Sequence, residues 1–365
     1  MIEPRTINGL SYPNLFIAGF LKCGTTSLAK YLSDHPQVAR PVAKELYYLI
    51  DEGSDLRSIQ PVINTHAFAQ GGNDTNVRSY LDFFPDRAGC RYAIDATPFY
   101  YSQEKAVEYV RTHPDVKVIF MVRSPEKRLA SSFQYFQNVL QEYPDDSFED
   151  FADALLDRGA KREFYRSRIK KPFFRNLFDY ELEMGNYEKH ISRWINLIGK
   201  ERVFIGESES MGDHPQRFMQ RICAFLDIDN DFYRSYEFRQ YMRSYQVRLP
   251  LMQKIGRKLA STDAIRYDRM TEFQSLFYRV PVEWLRSVLD MAYGTIQRAG
   301  SDKPFSDEAM QRLCAYYELP NRRLKTLYGV DYLRTGHGAD AYEHIAAERM
   351  APAAGQGNGQ MRLAK

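Results

Sequence analysis

The sequence predicts an α/β fold with a central parallel sheet flanked by helices, chiefly because two strand-loop-helix units can be recognised in it. In the first unit, the apolar run at residues 15–18 precedes a glycine-containing loop and a helical stretch at 25–32. In the second, the run at 116–122 leads through residues 123–125 into a helix expected to reach about Phe136. This order favours crossovers between parallel strands.

Further elements extend the same pattern. The apolar segments at 92–95 and 202–205 are typical of short buried strands. Apolar residues recur at helical spacing in four more stretches, 103–111, 187–198, 214–226 and 307–317. Trp194 lies in one of these helices, and we expect it to pack against the sheet rather than to contact a ligand.

The domain organisation follows from composition along the chain. We expect one domain over residues 1–335, with a charged and aromatic helical insertion at about 141–183. A basic segment at about 241–267 could form a lid over an anionic ligand or a solvated face, and both interpretations stay open. Residues 336–365 turn to Ala, Gly and Gln, which predicts a flexible C-terminal tail.

Composition limits the classes of function. The net charge of +3 is far from the concentrated positive charge of a dedicated nucleic-acid binder, so no nucleic-acid partner is expected. No stretch approaches the roughly 20 apolar residues that span a bilayer, and the N-terminus lacks a basic region followed by an apolar run. We therefore expect no membrane span and a cytoplasmic location.

The loop Gly19-Phe20-Leu21-Lys22-Cys23-Gly24-Thr25-Thr26 is the strongest local signal. It lies between a strand and a helix, where backbone N–H groups and the helix dipole can surround a phosphate. Its spacing matches GxxxxG, but Thr25 stands where nucleotide triphosphatases require lysine, and Lys22 lies inside the loop instead. The loop predicts anion binding and disfavours an ordinary ATPase.

The segment Lys22-Cys23-Gly24-Thr25-Thr26-Ser27-Leu28 resembles the 5′-phosphosulfate loop of sulfotransferases that use 3′-phosphoadenosine 5′-phosphosulfate (PAPS). The segment from Arg123 to Ser131 resembles the same family's motif in which an arginine and a serine eight residues later hold the 3′-phosphate. The resemblance implies the P-loop-containing nucleotide-binding fold of the sulfotransferase type. It also implies a donor site formed by Lys22, Cys23, Gly24, Thr25, Thr26, Ser27, Arg123 and Ser131.

Three further segments are similar to the heparan-sulfate-type and related bacterial carbohydrate branch of that family. They are Lys44-Glu45-Leu46-Tyr47-Tyr48, Asp95-Ala96-Thr97-Pro98-Phe99-Tyr100, and Tyr316-Tyr317 with Asn321-Arg322-Arg323-Leu324. The branch's glycine-and-basic loop over the donor is represented only by residues 300–305, where Lys303 is a candidate donor contact. Leu46 replaces the proline often found after Lys-Glu.

The resemblance implies a mechanism. Glu45 is expected to act as the general base that takes the acceptor's proton, because the family's corresponding glutamate is assigned that role. Lys44 is expected to act on the donor's sulfuryl or phosphate oxygens, and Lys22 on the bridging oxygen as the sulfuryl group departs. The acceptor is expected to be a hydroxyl or amine of a carbohydrate, the product 3′-phosphoadenosine 5′-phosphate (PAP), and no metal is required. Asp95 is the rival carboxylate, which could instead position Lys44 or cap the following turn.

Three alternatives stay open at this point. The acceptor could be the hydroxyl of a small molecule, lipid or natural product, because acceptor pockets are built from variable loops. The chain could be a P-loop kinase or nucleotide-binding switch, which would need Mg²⁺ and an acidic residue such as Asp95 to hold it. It could also bind the nucleotide without turnover. Oligomeric state cannot be inferred from the sequence.

Overall fold

Parallel strands form the central sheet of the computed structural model, which describes residues 12–54, 56, 80–84, 88–140, 142–239 and 305–333. Within these residues the sheet has five strands in the spatial order β2-β3-β1-β4-β5, and every pairing is parallel. The strands are β1 (Leu15–Gly19), β2 (Val38–Ala39), β3 (Tyr92–Asp95), β4 (Lys117–Val122) and β5 (Val203–Glu207). The predicted fold class is confirmed.

Ten α-helices surround the sheet in the described part of the chain. They are α1 (Thr25–Ser33), α2 (Glu104–Thr112), α3 (Pro125–Gln134), α4 (Phe148–Leu156), α5 (Ala160–Ser167), α6 (Pro172–Met184), α7 (Tyr187–Ile198), α8 (Ser208–Asp213), α9 (Pro215–Leu226) and α10 (Asp307–Tyr328). A π-helical turn, Tyr135–Val139, follows α3 directly. Short 3₁₀ turns occur at Tyr80–Phe83, Tyr100–Ser102, Lys200–Arg202 and Asp231–Arg234.

The strand order reverses at β1, and this reversal determines where a ligand can bind. From β1 the chain crosses to β2 and β3 on one side, and from β3 it crosses to β4 and β5 on the other. Strands β1 and β4 are direct neighbours, with Leu15 opposite Lys117 and Phe16 opposite Val118. In open parallel sheets, ligands bind outside the carboxyl ends of the strands at such a reversal.

Apolar residues explain why the central strands are buried. Every residue of β1 is buried, as are the last five residues of β4, because helices cover both faces of the sheet. Trp194 on α7 is fully buried, its ring meets that of Phe120 edge to face, and its indole N–H donates to the carbonyl of Tyr101 at 2.9 Å. The expectation that Trp194 packs against the sheet is confirmed.

Helices α4, α5 and α6 occupy the stretch in which a helical insertion was expected. A capping box starts α4, since the Asp150 N–H donates to Ser147 Oγ at 3.1 Å and the Ser147 N–H donates to Asp150 Oδ2 at 3.1 Å. The single-domain division stays a prediction. The lid-like segment 241–267, the tail 336–365 and Lys303 lie outside the described residues.

Helix α10 is longer than the sequence predicts, because it continues through Pro320 to Tyr328. The sequence predicts this helix only to 317, and Pro320 removes one helical hydrogen bond. A continuous buried stripe outweighs this loss; its members are Ala309, Leu313, Tyr317, Asn321 and Leu324. The Tyr317 hydroxyl also donates to the Leu182 carbonyl at 2.9 Å, which fastens α10 to α6.

A fully buried ion pair joins α3 to α6. Arg128 and Glu181 are each 0% exposed, and Arg128 Nη1 donates to Glu181 Oε2 at 2.8 Å. Ser132 Oγ and the Tyr143 hydroxyl donate to the other carboxylate oxygen at 2.5 and 3.2 Å. Burial alone would lower the pKa of Arg128, but Glu181 raises it overall, so the guanidinium stays charged.

Replacing Glu181 with Ala is expected to lower the free energy of unfolding by about 3–5 kcal/mol, because the Arg128 charge would be left buried without compensation. Urea denaturation measures this quantity. Glu108→Ala is the matched control, since Glu108 pairs with Arg111 in solvent, where such pairs contribute little. Equal effects of the two substitutions would show that the buried pair does not hold α3 in place.

Candidate active site

The loop after β1 leads into α1 at Gly24, whose φ of 82° lies in the left-handed region that favours glycine. A Cβ at this position would lie 2.8 Å from Met211 Cε and 3.1 Å from Ser208 Oγ. The first turn of α1 contains no acidic side chain, so nothing within it offsets the positive end of the helix dipole. The loop therefore has the geometry and the charge for binding an anion.

Lys22 lies in this loop with φ 65°, and its Nζ is 4.0 Å from the centre of the Tyr135 ring. Its side chain is partly exposed at the surface but densely surrounded, and desolvation lowers the pKa of its ammonium to about 7. The neighbouring charges of Arg123 and Lys44 contribute to this lowering of the pKa. Lys22, Lys44 and Arg123 thus lie close enough together for their charges to interact.

Arg123 follows the last residue of β4, beside the loop of Lys22. Its Nη1 donates to the Lys22 carbonyl at 3.5 Å. The next residue is anchored as well, since the Ser124 N–H donates to Glu209 Oε1 at 3.1 Å. Ser131 is two turns further along α3 and is 8% exposed. The register of β1 with β4 therefore brings both predicted phosphate-binding motifs to the same edge of the sheet.

Lys44 and Glu45 lie on the segment after β2, and they form an ion pair with each other. Lys44 Nζ donates to Glu45 Oε1 at 2.5 Å, and the Tyr47 hydroxyl donates to Glu45 Oε2 at 2.6 Å. The Glu45 side chain is 25% exposed, compared with 9% for Lys44. Both carboxylate oxygens of Glu45 are thus held by donors, while the group remains accessible from solvent.

Asp95, the rival carboxylate, ends β3 but is fully buried. The hydroxyls of Thr97 and Tyr100 donate to it at 2.7 and 2.8 Å, and the Tyr80 hydroxyl donates to it as well. Burial raises the pKa of Asp95, and these three hydrogen bonds oppose the shift. A carboxylate enclosed in this way cannot reach the proton of a bound acceptor.

The remaining predicted donor residues differ in exposure. Thr25 and Ser27 are buried on α1, and Thr26 is half-buried. Cys23 is fully buried, its Sγ lies 3.5 Å from the Tyr187 hydroxyl, and burial raises the pKa of its thiol to about 11. The Cys23 side chain therefore packs beneath the loop and can contribute to a ligand site only through its backbone.

Tyr135 and Glu209 belong to this site but were not identified from the sequence. Tyr135 covers Lys22 and is close enough to raise the pKa of Tyr47. Its sequence signal is its position four residues after Ser131, which places both on one face of a helix. Glu209 has no comparable signal, because α8, which carries it, becomes recognisable only from the structure.

Comparison with known proteins identifies the family. A family model described as a sulfotransferase domain matches residues 12–261, which is more than half of the chain. The chain belongs to the sulfotransferase family. Lys22, Lys44, Glu45, Arg123 and Ser131 all fall within the matched residues, whereas Lys303 falls outside them.

This sulfotransferase is similar to the following two curated relatives and one solved structure. It is 22% identical over 250 residues to carbohydrate sulfotransferase 15 of Rattus norvegicus. It is 23% identical over 242 residues to bifunctional heparan sulfate N-deacetylase/N-sulfotransferase 1 of Homo sapiens. The alignments cover 59% and 62% of this chain but only 44% and 24% of the relatives' own lengths. A sulfotransferase from Alicyclobacillus acidocaldarius superposes with a TM-score of 0.47 and 22% identity, covering 70% of this chain and 92% of the other.

Proposed function

We propose that this sulfotransferase transfers a sulfuryl group from PAPS to a hydroxyl or amine of a carbohydrate, with Glu45 as general base. The observation that carries the proposal is the placement of Lys22, Lys44 and Arg123 at one edge of the sheet beside the accessible Glu45 carboxylate. An anionic donor would place negative charge opposite these three cations, and a carboxylate next to them can accept a proton.

The donor would bind across the two strand-loop-helix units. The amino end of α1 and Lys22 would hold the 5′-phosphosulfate, and Arg123 with Ser131 would hold the 3′-phosphate. A guanidinium matches a phosphate with two parallel hydrogen bonds, which suits Arg123 to the group that distinguishes this donor from ATP. The supporting observation is that both motifs lie at the strand reversal, where ligands of such sheets bind.

Lys44 would have two partners during the reaction. In the free protein it donates to Glu45 at 2.5 Å, and this bond occupies one of the oxygens that the base needs. Donor oxygens compete for the same ammonium, so binding of PAPS would draw Lys44 from Glu45 and leave Glu45 Oε1 available to the acceptor. Tyr47 would keep the carboxylate in place through Oε2 during this exchange.

Lys22 would neutralise charge on the bridging oxygen as the sulfuryl group leaves. Transfer of this kind depends on in-line geometry and on charges placed where negative charge develops, and both are supplied here by side chains on the sheet edge. The scheme requires no metal ion. In the described part of the chain, no cluster of three or more His, Cys, Asp or Glu residues could hold one.

The proposal of a carbohydrate acceptor is based on the names of two relatives, a carbohydrate sulfotransferase and a heparan sulfate N-deacetylase/N-sulfotransferase.

The cytoplasmic location stays a prediction. Among the helices that the structure describes, none combines the length and the apolar composition that crossing a bilayer requires.

The role of Glu45 predicts that Glu45→Gln lowers turnover by about 10²–10⁴-fold while PAP binding is unchanged. Glutamine can still accept from Lys44 and donate to the Tyr47 oxygen, so the substitution removes basicity with little change in shape. Release of PAP from PAPS, with heparosan, chondroitin and simple sugars as acceptors, measures turnover. Calorimetry measures PAP binding.

Glu108→Gln is the control for this experiment, since Glu108 is an exposed carboxylate on α2. It is expected to behave as the wild-type protein does. Wild-type turnover in Glu45→Gln would exclude Glu45 as the base, and an absence of turnover by the unaltered protein with every acceptor would count against the proposed reaction itself.

The pKa of Lys22 predicts that PAP binding takes up a proton. In the free protein this pKa is about 7, and a bound phosphate raises it, so at pH 8 about one proton is taken up and affinity falls as pH rises further. Calorimetry in Hepes and in Tris, which differ in ionisation enthalpy, counts the protons. Lys22→Met should abolish the uptake, whereas Lys127→Met, on the exposed side of α3, should retain it. Binding without uptake by the unaltered protein would contradict a depressed pKa.

A further inference from the structure

The Asp95 carboxylate is the centre of a buried hydrogen-bond network that ends at residues 44–49, the segment that carries Glu45. Thr97 donates to its Oδ1, and Tyr100 and Tyr80 donate to its Oδ2. Asp95 and Thr97 are each 0% exposed, so water does not compete for these bonds. In a medium of low dielectric constant, hydroxyls that donate to a carboxylate become better acceptors for further donors.

Two of these hydroxyls accept from the backbone that follows Glu45. The N–H groups of Leu46 and Tyr47 both donate to Thr97 Oγ1, at 3.1 and 3.2 Å. The N–H of Leu49 donates to the Tyr100 hydroxyl at 3.2 Å. Three backbone donors in four residues are therefore satisfied by side chains from one motif after β3, and not by regular secondary structure.

The segment needs this support, because Tyr47 has a φ of 50°, in the left-handed region that a bulky residue rarely adopts. This backbone conformation also accompanies the bond from the Tyr47 hydroxyl to Glu45 Oε2 at 2.6 Å. A continuous path thus runs from Asp95 through Thr97 and the Tyr47 backbone to the Glu45 carboxylate.

We propose that Asp95 and Thr97 are positioning residues that determine where the Glu45 carboxylate stands relative to the transferred group. The inference rests on the proposed function, since it concerns the geometry of the proposed base. Neither residue touches substrate. Their effect passes through the backbone of residues 46–49, so they are expected to influence turnover and not the affinity for the donor, which is held mainly by the loops after β1 and β4.

The test uses Thr97, because its two roles can be separated by isosteric changes, whereas Asp95 lies in the core and supports several side chains at once. Thr97→Val keeps the shape but removes the acceptor of the Leu46 and Tyr47 N–H groups. It should lower kcat at least about tenfold, as a small misplacement of a reacting group does, with unchanged KM for PAPS and unchanged PAP affinity. Thr97→Ser keeps the hydroxyl and should recover most of the turnover. Thr112→Val, which removes an exposed hydroxyl from the end of α2, is the control for the chemical change itself.

Amide hydrogen exchange gives a readout that is independent of acceptor and activity. Thr97→Val should increase exchange at residues 46–49, while Thr97→Ser and Thr112→Val should not. Faster exchange in Thr97→Val together with wild-type kcat would overturn the proposal. A loss of PAP affinity equal to the loss of kcat would also overturn it, because it would indicate a general structural defect. If the unaltered protein shows no turnover, the proposed function fails. Unchanged exchange in Thr97→Val would show, independently of activity, that Thr97 does not hold residues 46–49 in place.

Discussion

The concentration of positive charge on the segments that follow β1, β2 and β4 is the constraint on which the rest of the site depends. Lys22, Lys44 and Arg123 are close enough to lower the pKa of Lys22, so their repulsion is unfavourable in the free protein. Only a fold that fixes the loops firmly can hold these side chains together. The parallel pairing of β1 with β4 supplies this rigidity, because both loops start from buried, hydrogen-bonded strands.

Two buried carboxylates stabilise this edge from opposite sides. Glu181 accepts from Arg128, Ser132 and Tyr143 and thereby fixes α3, the helix that carries Ser131. On the other side, Asp95 fixes the segment of Lys44 and Glu45 through the hydroxyls that it holds. Each carboxylate is fully buried, and each receives at least three donors, as a buried charge requires. The helix that carries Ser131 and the segment that carries Glu45 are therefore anchored by different carboxylates. A substitution can consequently disturb one of them without disturbing the other.

Much of the fold could be predicted from the sequence, because the elements around the site are governed by local patterns. Helix α7 was expected with the bounds that the structure shows, and β3 likewise. The loop after β1 was recognisable because glycine spacing, a preceding apolar run and following hydroxyl residues all occur within one short segment. Strand β2 was missed, since two residues carry no periodicity.

The parts that could not be predicted depend on contacts between distant segments. Asp95 was considered as a base or a positioning group, and only the hydroxyls of Tyr80, Thr97 and Tyr100 around it distinguish the two roles. The spacing of Tyr135 from Ser131 places both on one face of a helix, but the contact of the Tyr135 ring with Lys22 is visible only in the structure. Side-chain networks of this kind arise from tertiary packing, so local sequence patterns identify only some of their members and do not assign their roles.

Calorimetric titration with PAP and with ADP in the absence of Mg²⁺ tests most directly whether the site recognises the 3′-phosphate of an adenosine nucleotide. We expect clear preference for PAP, and we expect Arg123→Ala to abolish the preference while Lys127→Ala leaves it unchanged. Binding of ADP equal to or tighter than that of PAP would contradict the assignment of Arg123 and Ser131, and with it the sulfuryl donor.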